Sequence, residues 1–210
     1  LCAQADWLSA SRLPWPLVVT KRKMLRPLPY SLPALLFTLV GCASTTTVQL
    51  TPSPQDPVCK ESANAQVFWT TQWRDDQKDV PSREAAAADG LSQFIKSSGC
   101  FKSTLLGRLS KTSNESAKAA VAQATKHHDK VVVITVRELG PTVKIGKSLA
   151  LVEGGTEVVL DISEYALERA MPRTFTVRWK NGGAGIVKGV ATLPQDMRAA
   201  LVAALQPLAQ

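Results

Sequence analysis

The sequence predicts a domain of the α+β (or α/β) class: a mixed sheet with helices on one face, in the order β-α-β-α-β-β-β-β-α. Three observations carry that expectation. Residues 130–139, Lys-Val-Val-Val-Ile-Thr-Val-Arg-Glu-Leu, hold four consecutive aliphatics that give way to alternation, the pattern of a buried central strand. Before it, two segments with apolar residues at helical spacing each follow a strand-like segment. After it, three strand candidates separated by turn residues suggest an antiparallel meander.

The elements follow in order. Residues 65–73, Ala-Gln-Val-Phe-Trp-Thr-Thr-Gln-Trp, are aromatic and β-branched and suit a half-buried strand. A polar loop covers 75–81. Ser82 then caps a helix running to about Ser98, with Glu84 in its first turn, Ala85, Ala86, Ala87 and Ala88 as strong formers, and Leu91, Phe94 and Ile95 as its apolar stripe; Gly99 ends it. A short strand spans 103–109. Ser113 or Asn114 starts a second helix with Ala117, Ala120, Val121 and Ala124 on one face. Beyond the central strand and Gly140-Pro141, the strand candidates are 142–152, 156–168 and 173–179, divided by Gly154-Gly155 and by residues 170–172. An Asn181-Gly182-Gly183 turn leads into a last short strand or loop. Pro194 and Asp196 open a terminal helix whose inner face carries Met197, Leu201 and Leu205.

The amino-terminal region has the layout of targeting, not of fold. Residues 32–40 form an apolar run preceded by Arg26 and a basic cluster at Lys21, Arg22 and Lys23. That run is about half of the ~20 residues a helix needs to span a bilayer, so a permanent transmembrane anchor is not expected. Leu39-Val40-Gly41-Cys42 resembles the lipobox of bacterial lipoproteins, in which the cysteine is lipidated and the bond before it is cut. The resemblance implies a mature chain beginning at Cys42 and held to a membrane by lipid. Ala43, standing where that family uses aspartate for inner-membrane retention, implies an outer-membrane, periplasm-facing location. Met24 lies just before the compact signal segment. Residues 1–23 therefore read as an upstream extension, or alternatively as a long basic leader, and 24–41 as the signal peptide.

After the cysteine, residues 44–47 and 51–57 are polar, with several breakers and no hydrophobic period, and 42–64 reads as a lipidated cysteine and flexible tether to a single domain over 65–210. With Cys42 lipidated, Cys59 and Cys100 are the thiols left in an oxidising compartment. Either they are bonded, closing a loop worth ~4 kcal/mol in the chain-entropy model, or they are two separate buried thiols. The element order also resembles the compact domain of the curli secretion lipoprotein, the penicillin-binding-protein activator lipoproteins and the amino-terminal domain of the Tol-Pal translocation protein. That resemblance implies an envelope function but carries no functional residue across.

Composition narrows the function further. The formal charge is +8, but five basic residues and one acidic residue precede Cys42, leaving 20 basic and 16 acidic residues and a diffuse +4. Nucleic-acid binding is not expected. His127 and His128 are adjacent near a helix end, which suits solvated residues better than a base or a ligand pair. Neither Ser-x-x-Lys nor Gly-x-Ser-x-Gly occurs, the glycines at 182–189 lack a phosphate-loop lysine and hydroxyl, and no Cys-x-x-Cys or calcium-loop spacing is present. No catalytic residue, cofactor or metal is assigned. The remaining candidate is a surface made of Trp73, Arg74, Arg178, Trp179 and Lys180, basic and aromatic, for docking an envelope protein or an anionic glycan. Trp179 has a competing place in the core. The expectation is a non-enzymatic binding or assembly module; the alternatives are an enzyme acting on cell-wall polymer through carboxylates such as Glu157, Asp161 or Glu164, and a purely structural lipoprotein. Oligomeric state is not readable.

Overall fold

The computed structural model describes residues 44–109, 114–145, 152–169 and 171–206. The signal segment, the upstream extension and the lipidation candidate Cys42 lie outside the described residues. The fold is a mixed six-stranded sheet in the order β1-β6-β5-β4-β2-β3, with three helices. Its strands are β1 (Thr45–Thr51), β2 (Lys60–Thr71), β3 (Phe101–Arg108), β4 (Lys130–Ile145), β5 (Val152–Ala166) and β6 (Arg173–Ala184). The helices are α1 (Val80–Ser97), α2 (Asn114–Ala124) and α3 (Leu193–Leu205), the last preceded by a 3-10 turn, Val190–Thr192. This is an α+β fold.

Strands β2, β3 and β4 are mutually parallel where they pair, and β4, β5, β6 and β1 run antiparallel. Alternation along each strand separates two faces. Val67, Trp69, Val132, Ile134, Val136, Val158, Leu160, Ile162, Val177 and Trp179 form the main core with Leu91 and Phe94 of α1 and Met197, Leu201 and Leu205 of α3. The opposite face sends Phe68, Val131, Val133 and Tyr165 into a small second cluster with Val121 and Ala124 of α2. The expectation of helices on one face is thus corrected for α2. The connection β2-α1-β3 steps outward to the sheet edge, and β3-α2-β4 steps back past β2. Parallel crossovers follow a right-handed rule, under which two made in opposite directions place their helices on opposite faces.

Three further expectations are revised. Residues 42–64 are not a free tether from position 45 on: Thr45–Thr51 is β1, pairing with β6 from Thr45 opposite Gly182 to Thr51 opposite Thr176. Its β-branched residues suit a strand, and being at the edge it needs little apolar content. The segment that follows is also held. Val58 is fully buried, and the backbone amides of Val58 and Cys59 donate to the carbonyl of Leu205 at the end of α3. Next, the strand expected at 130–139 does not end at Gly140-Pro141: β4 runs on to Ile145 with a register shift between Val136 and Glu138, so the start of the strand expected at 142–152 belongs to it, Val152 opens β5, and 146–151 lie outside the described residues. Beyond Val136, β4 pairs only with β5, so no second ladder asks an N–H of Pro141. Finally, Asn181, Gly182 and Gly183 are not a turn but the end of β6, extended by its pairing with both β1 and β5.

Helix α1 starts at Val80, with Pro81 in the first turn, instead of being capped by Ser82. Its inner face is Arg83, Ala86, Ala87, Gly90, Leu91 and Phe94, and Gly99 follows it in the left-handed conformation at φ 61°. Cys59 and Cys100 form a disulfide with Cα atoms 4.6 Å apart, joining the start of β2 to the start of β3. No described helix is long and apolar enough to cross a membrane.

The candidate functional site on the open face of the sheet

Strand β6 sorts the sequence-predicted residues. Phe175, Val177 and Trp179 point into the core, where Trp179 is 4% exposed, while Thr176, Arg178 and Lys180 point the other way. Helix α2 covers the outer face only around Val131, Val133 and Tyr165, leaving the surface of β5, β6 and β1 open. There Arg178 sits opposite Val159 of β5 and Gln49 of β1. Lys180 sits opposite Glu157 and Thr47, and Thr176 opposite Asp161 and Thr51.

The charges alternate across the strands. Arg137 donates to Asp161 at 2.8 Å, and the Thr176 hydroxyl donates to the other oxygen of that carboxylate at 2.8 Å. Glu157 lies 3.4 Å from both Arg178 and Lys180. Arg74 donates to Glu138 at 3.1 Å, and Arg83 donates to its second oxygen at 2.8 Å. Between these groups runs a shallow groove of about 450 Å³, walled by Arg74, Arg137, Glu138, Glu157, Asp161 and Arg178.

The groove is anchored from α1. Arg83 reaches the free edge of β4, donating to the Leu139 carbonyl that a neighbouring strand would otherwise use, and to Glu138. Gly140 makes room for it, because a Cβ there would fall 1.7 Å from Arg83 Nη1. Sequence reading took Gly140 for a strand break, whereas its function in the fold is to admit a guanidinium.

The structure therefore brings Arg74, Arg178 and Lys180 to one face and removes both tryptophans from it. Trp179 is core. Trp73 is half-buried and donates through Nε1 to Glu84 at 3.3 Å. Glu84 also accepts from Thr71 at 2.8 Å and from Arg108, which lies over the Trp69 ring. Burial pushes the Glu84 pKa upward, but the hydrogen bonds from Arg108, Thr71 and Trp73 and the charge of Arg108 outweigh it and bring the value down to about 2. Arg137, Glu138, Glu157 and Asp161 were missed as members of one surface. Their signal was partial: Glu157 and Asp161 stand out of phase with the aliphatics Val158, Leu160 and Ile162, while the shift in register after Val136 breaks the alternation at Arg137 and Glu138.

Two other polar clusters have structural duties. Buried Glu164 is held by Lys130 and Arg173, each at 2.6 Å, and those cations donate onward to the carbonyls of Val58 and Asp56, fastening the segment between β1 and β2. Asp196 at the start of α3 accepts from Thr156 and Lys188, both at 2.6 Å. The histidines stand at the end of α2, His128 Nδ1 3.2 Å from the Ala124 carbonyl and His127 beside Gln123. Among the described residues no three His, Cys, Asp or Glu side chains gather in a metal-holding group.

No family model matches the chain, and no curated protein matches it. Among solved structures, the chain is similar to a PelC dodecamer subunit from Paraburkholderia phytofirmans at 13% identity and a TM-score of 0.41, covering 79% of this chain and 100% of that one. It is also similar to a neuraminyllactose-binding hemagglutinin homologue from Helicobacter pylori, at 11% identity and a TM-score of 0.40 over 74% of this chain and 88% of that one. A DUF330 protein from Xanthomonas campestris matches at 15% identity and a TM-score of 0.35, over 76% and 87% respectively.

Proposed function

We propose that this protein is an outer-membrane lipoprotein, anchored through lipid on Cys42 and facing the periplasm, whose domain is a non-enzymatic binding module for another envelope protein. The observation that carries the binding part is the open outer face of β5, β6 and β1 with its charged groove. A broad polar face with alternating Arg, Lys, Asp and Glu suits a protein surface of complementary charge pattern, which gives specificity and register more than raw affinity. An anionic glycan would meet Glu138, Glu157 and Asp161 as well as the cations. The carboxylates a hydrolase would need are engaged instead: Asp161 by Arg137 and Thr176, Glu157 by Arg178 and Lys180, Glu164 by Lys130 and Arg173.

The test is site-specific photocross-linking in intact envelopes. Probes replacing Gln49 or Thr176 should give one discrete adduct that disappears with Arg178→Glu, while a probe at Lys102, on the far edge strand, should not. Equal adducts from all three positions would remove the groove from the interface, and turnover of cell-wall polymer by the purified protein would overturn the non-enzymatic reading.

A further inference from the structure

We infer that the end of the sheet carrying Thr45, Gly182 and Gly154 lies against the lipid surface, with Val143 and Val187 as its apolar contact. This rests on the proposed lipid at Cys42 and asks which part of the domain that lipid brings down. Cys42 precedes β1 by three residues, and a fully extended chain of that length reaches at most about 11 Å. A tether of 23 residues would leave the domain free to tumble; a strand beginning at Thr45 does not. The first residue of β1 must therefore stand within about 11 Å of the lipid-bearing cysteine.

The registers identify what else stands there. Thr45 is opposite Gly182, which is opposite Gly155, which is opposite Thr142. One row nearer the membrane, Val143 is opposite Gly154. The loop after β6 folds over the same glycine, since a Cβ on Gly154 would fall 2.0 Å from the Ile186 carbonyl oxygen and 3.7 Å from Val187 Cα. Val143 and Val187 thus flank one point of the sheet end from two different elements. They are 66% and 91% exposed, and Val190 nearby is 43% exposed. Beyond this row β4 and β5 continue for two further pairs, to Ile145 opposite Val152. Exposed aliphatics close to the end to which a lipid-bearing cysteine is tied have a partner within reach: the interfacial region of the bilayer. The opposite end, with exposed Leu167 and Met171 on the β5–β6 connection, then points away, and the charged groove stands roughly upright between the two.

The experiment uses the full lipidated protein in vesicles of phosphatidylethanolamine and phosphatidylglycerol, with an environment-sensitive fluorophore on a cysteine introduced as V143C, V187C, L167C or M171C. Lipids carrying a quencher near the headgroup should quench the labels at 143 and 187 severalfold more than those at 167 and 171. With the label at 143, Val187→Asp should lower that quenching. Equal quenching at both ends, or more at 167 and 171, overturns the orientation, and no change on Val187→Asp overturns the apolar contact. Intact mass of the vesicle-bound protein separates the two levels: acyl mass on Cys42 with no preference between ends refutes this inference alone, whereas absence of acyl mass refutes the anchoring and the inference with it.

Discussion

The two faces of the sheet are built from the same strands and follow opposite rules. One face is closed by α1 and α3 over Val177, Trp179, Leu160 and their neighbours, with buried polar groups such as Thr156 and Asp196 paired to one another. The other is closed by α2 over Val131, Val133 and Tyr165 and is otherwise a lattice of ion pairs open to solvent. Residues 178–180 show the consequence. Arg178, Trp179 and Lys180 adjoin in sequence and resemble one patch, but a strand's period of two sends the tryptophan to one face and both cations to the other.

The sharpest way to break this comparison is to truncate neighbours. Trp179→Ala should cost ~3–5 kcal/mol, the range for emptying a large aromatic site in a core. Arg178→Ala, which gives up a half-exposed ion pair with Glu157, should cost ~1 kcal/mol or less. Denaturant unfolding of both variants decides; similar losses would mean the faces are not distinct in the way described. The next largest effect tests the lock on the closed face. Replacing both Cys59 and Cys100 with Ser should lower stability by ~2–4 kcal/mol, from a disulfide closing 41 residues, and should do so without altering the outer groove. Unfolding of the double variant beside the oxidised parent measures it.

Glu84 lies where the helix α1 meets β2 and offers a smaller, pH-dependent test. Its folded pKa of about 2 is below the ordinary 4.5, so its stabilising contribution is fully present above about pH 4.5 and is lost as pH falls toward 2. Arg108 is half exposed, so solvent screening holds the contribution to ~1–2 kcal/mol. Comparing unfolding of the parent and Glu84→Gln between pH 2 and 6 should show a difference that shrinks on acidification. A constant difference would assign the loss to packing instead of charge.

How much of this was legible in the sequence depends on whether the determining contact was local. The helices were readable because Leu91, Phe94, Met197 and Leu201 recur at helical spacing, and β4 because its aliphatic run is continuous. The disulfide was legible from cysteine arithmetic. Strand β1 was not: Thr45–Thr51 holds only Val48 and Leu50 as apolar residues, too short an alternation to stand out, and what makes it a strand is the free edge of β6, more than 120 residues away. Pro141 looked like a terminator because its effect depends on whether a second strand lies beside it, and none does beyond Val136. The groove stayed hidden for a related reason. Glu138, Glu157 and Arg178 come from three separate strands that meet only through register, and Arg74 reaches them from the loop after β2. Alternation along β5 and β6 marks which residues face outward but not which of them stand side by side.

A small expected change in stability carries the most information about function. Arg178→Glu places a second carboxylate beside Glu157, an exposed repulsion of about 1 kcal/mol or less. If the ion-pair lattice exists only to hold β5 to β6, then the charge swap Arg178→Glu with Glu157→Arg should restore whatever the single change removes, in unfolding and in cross-linking alike. A binding surface behaves differently, because a partner complementary to Arg178 in its place meets the opposite sign even when the domain itself is content. The double variant should therefore regain stability to within a few tenths of a kcal/mol yet fail to recover the adducts formed through positions 49 and 176. Recovery of both would reduce the open face to scaffolding and leave the covered face as the only one whose chemistry the fold explains.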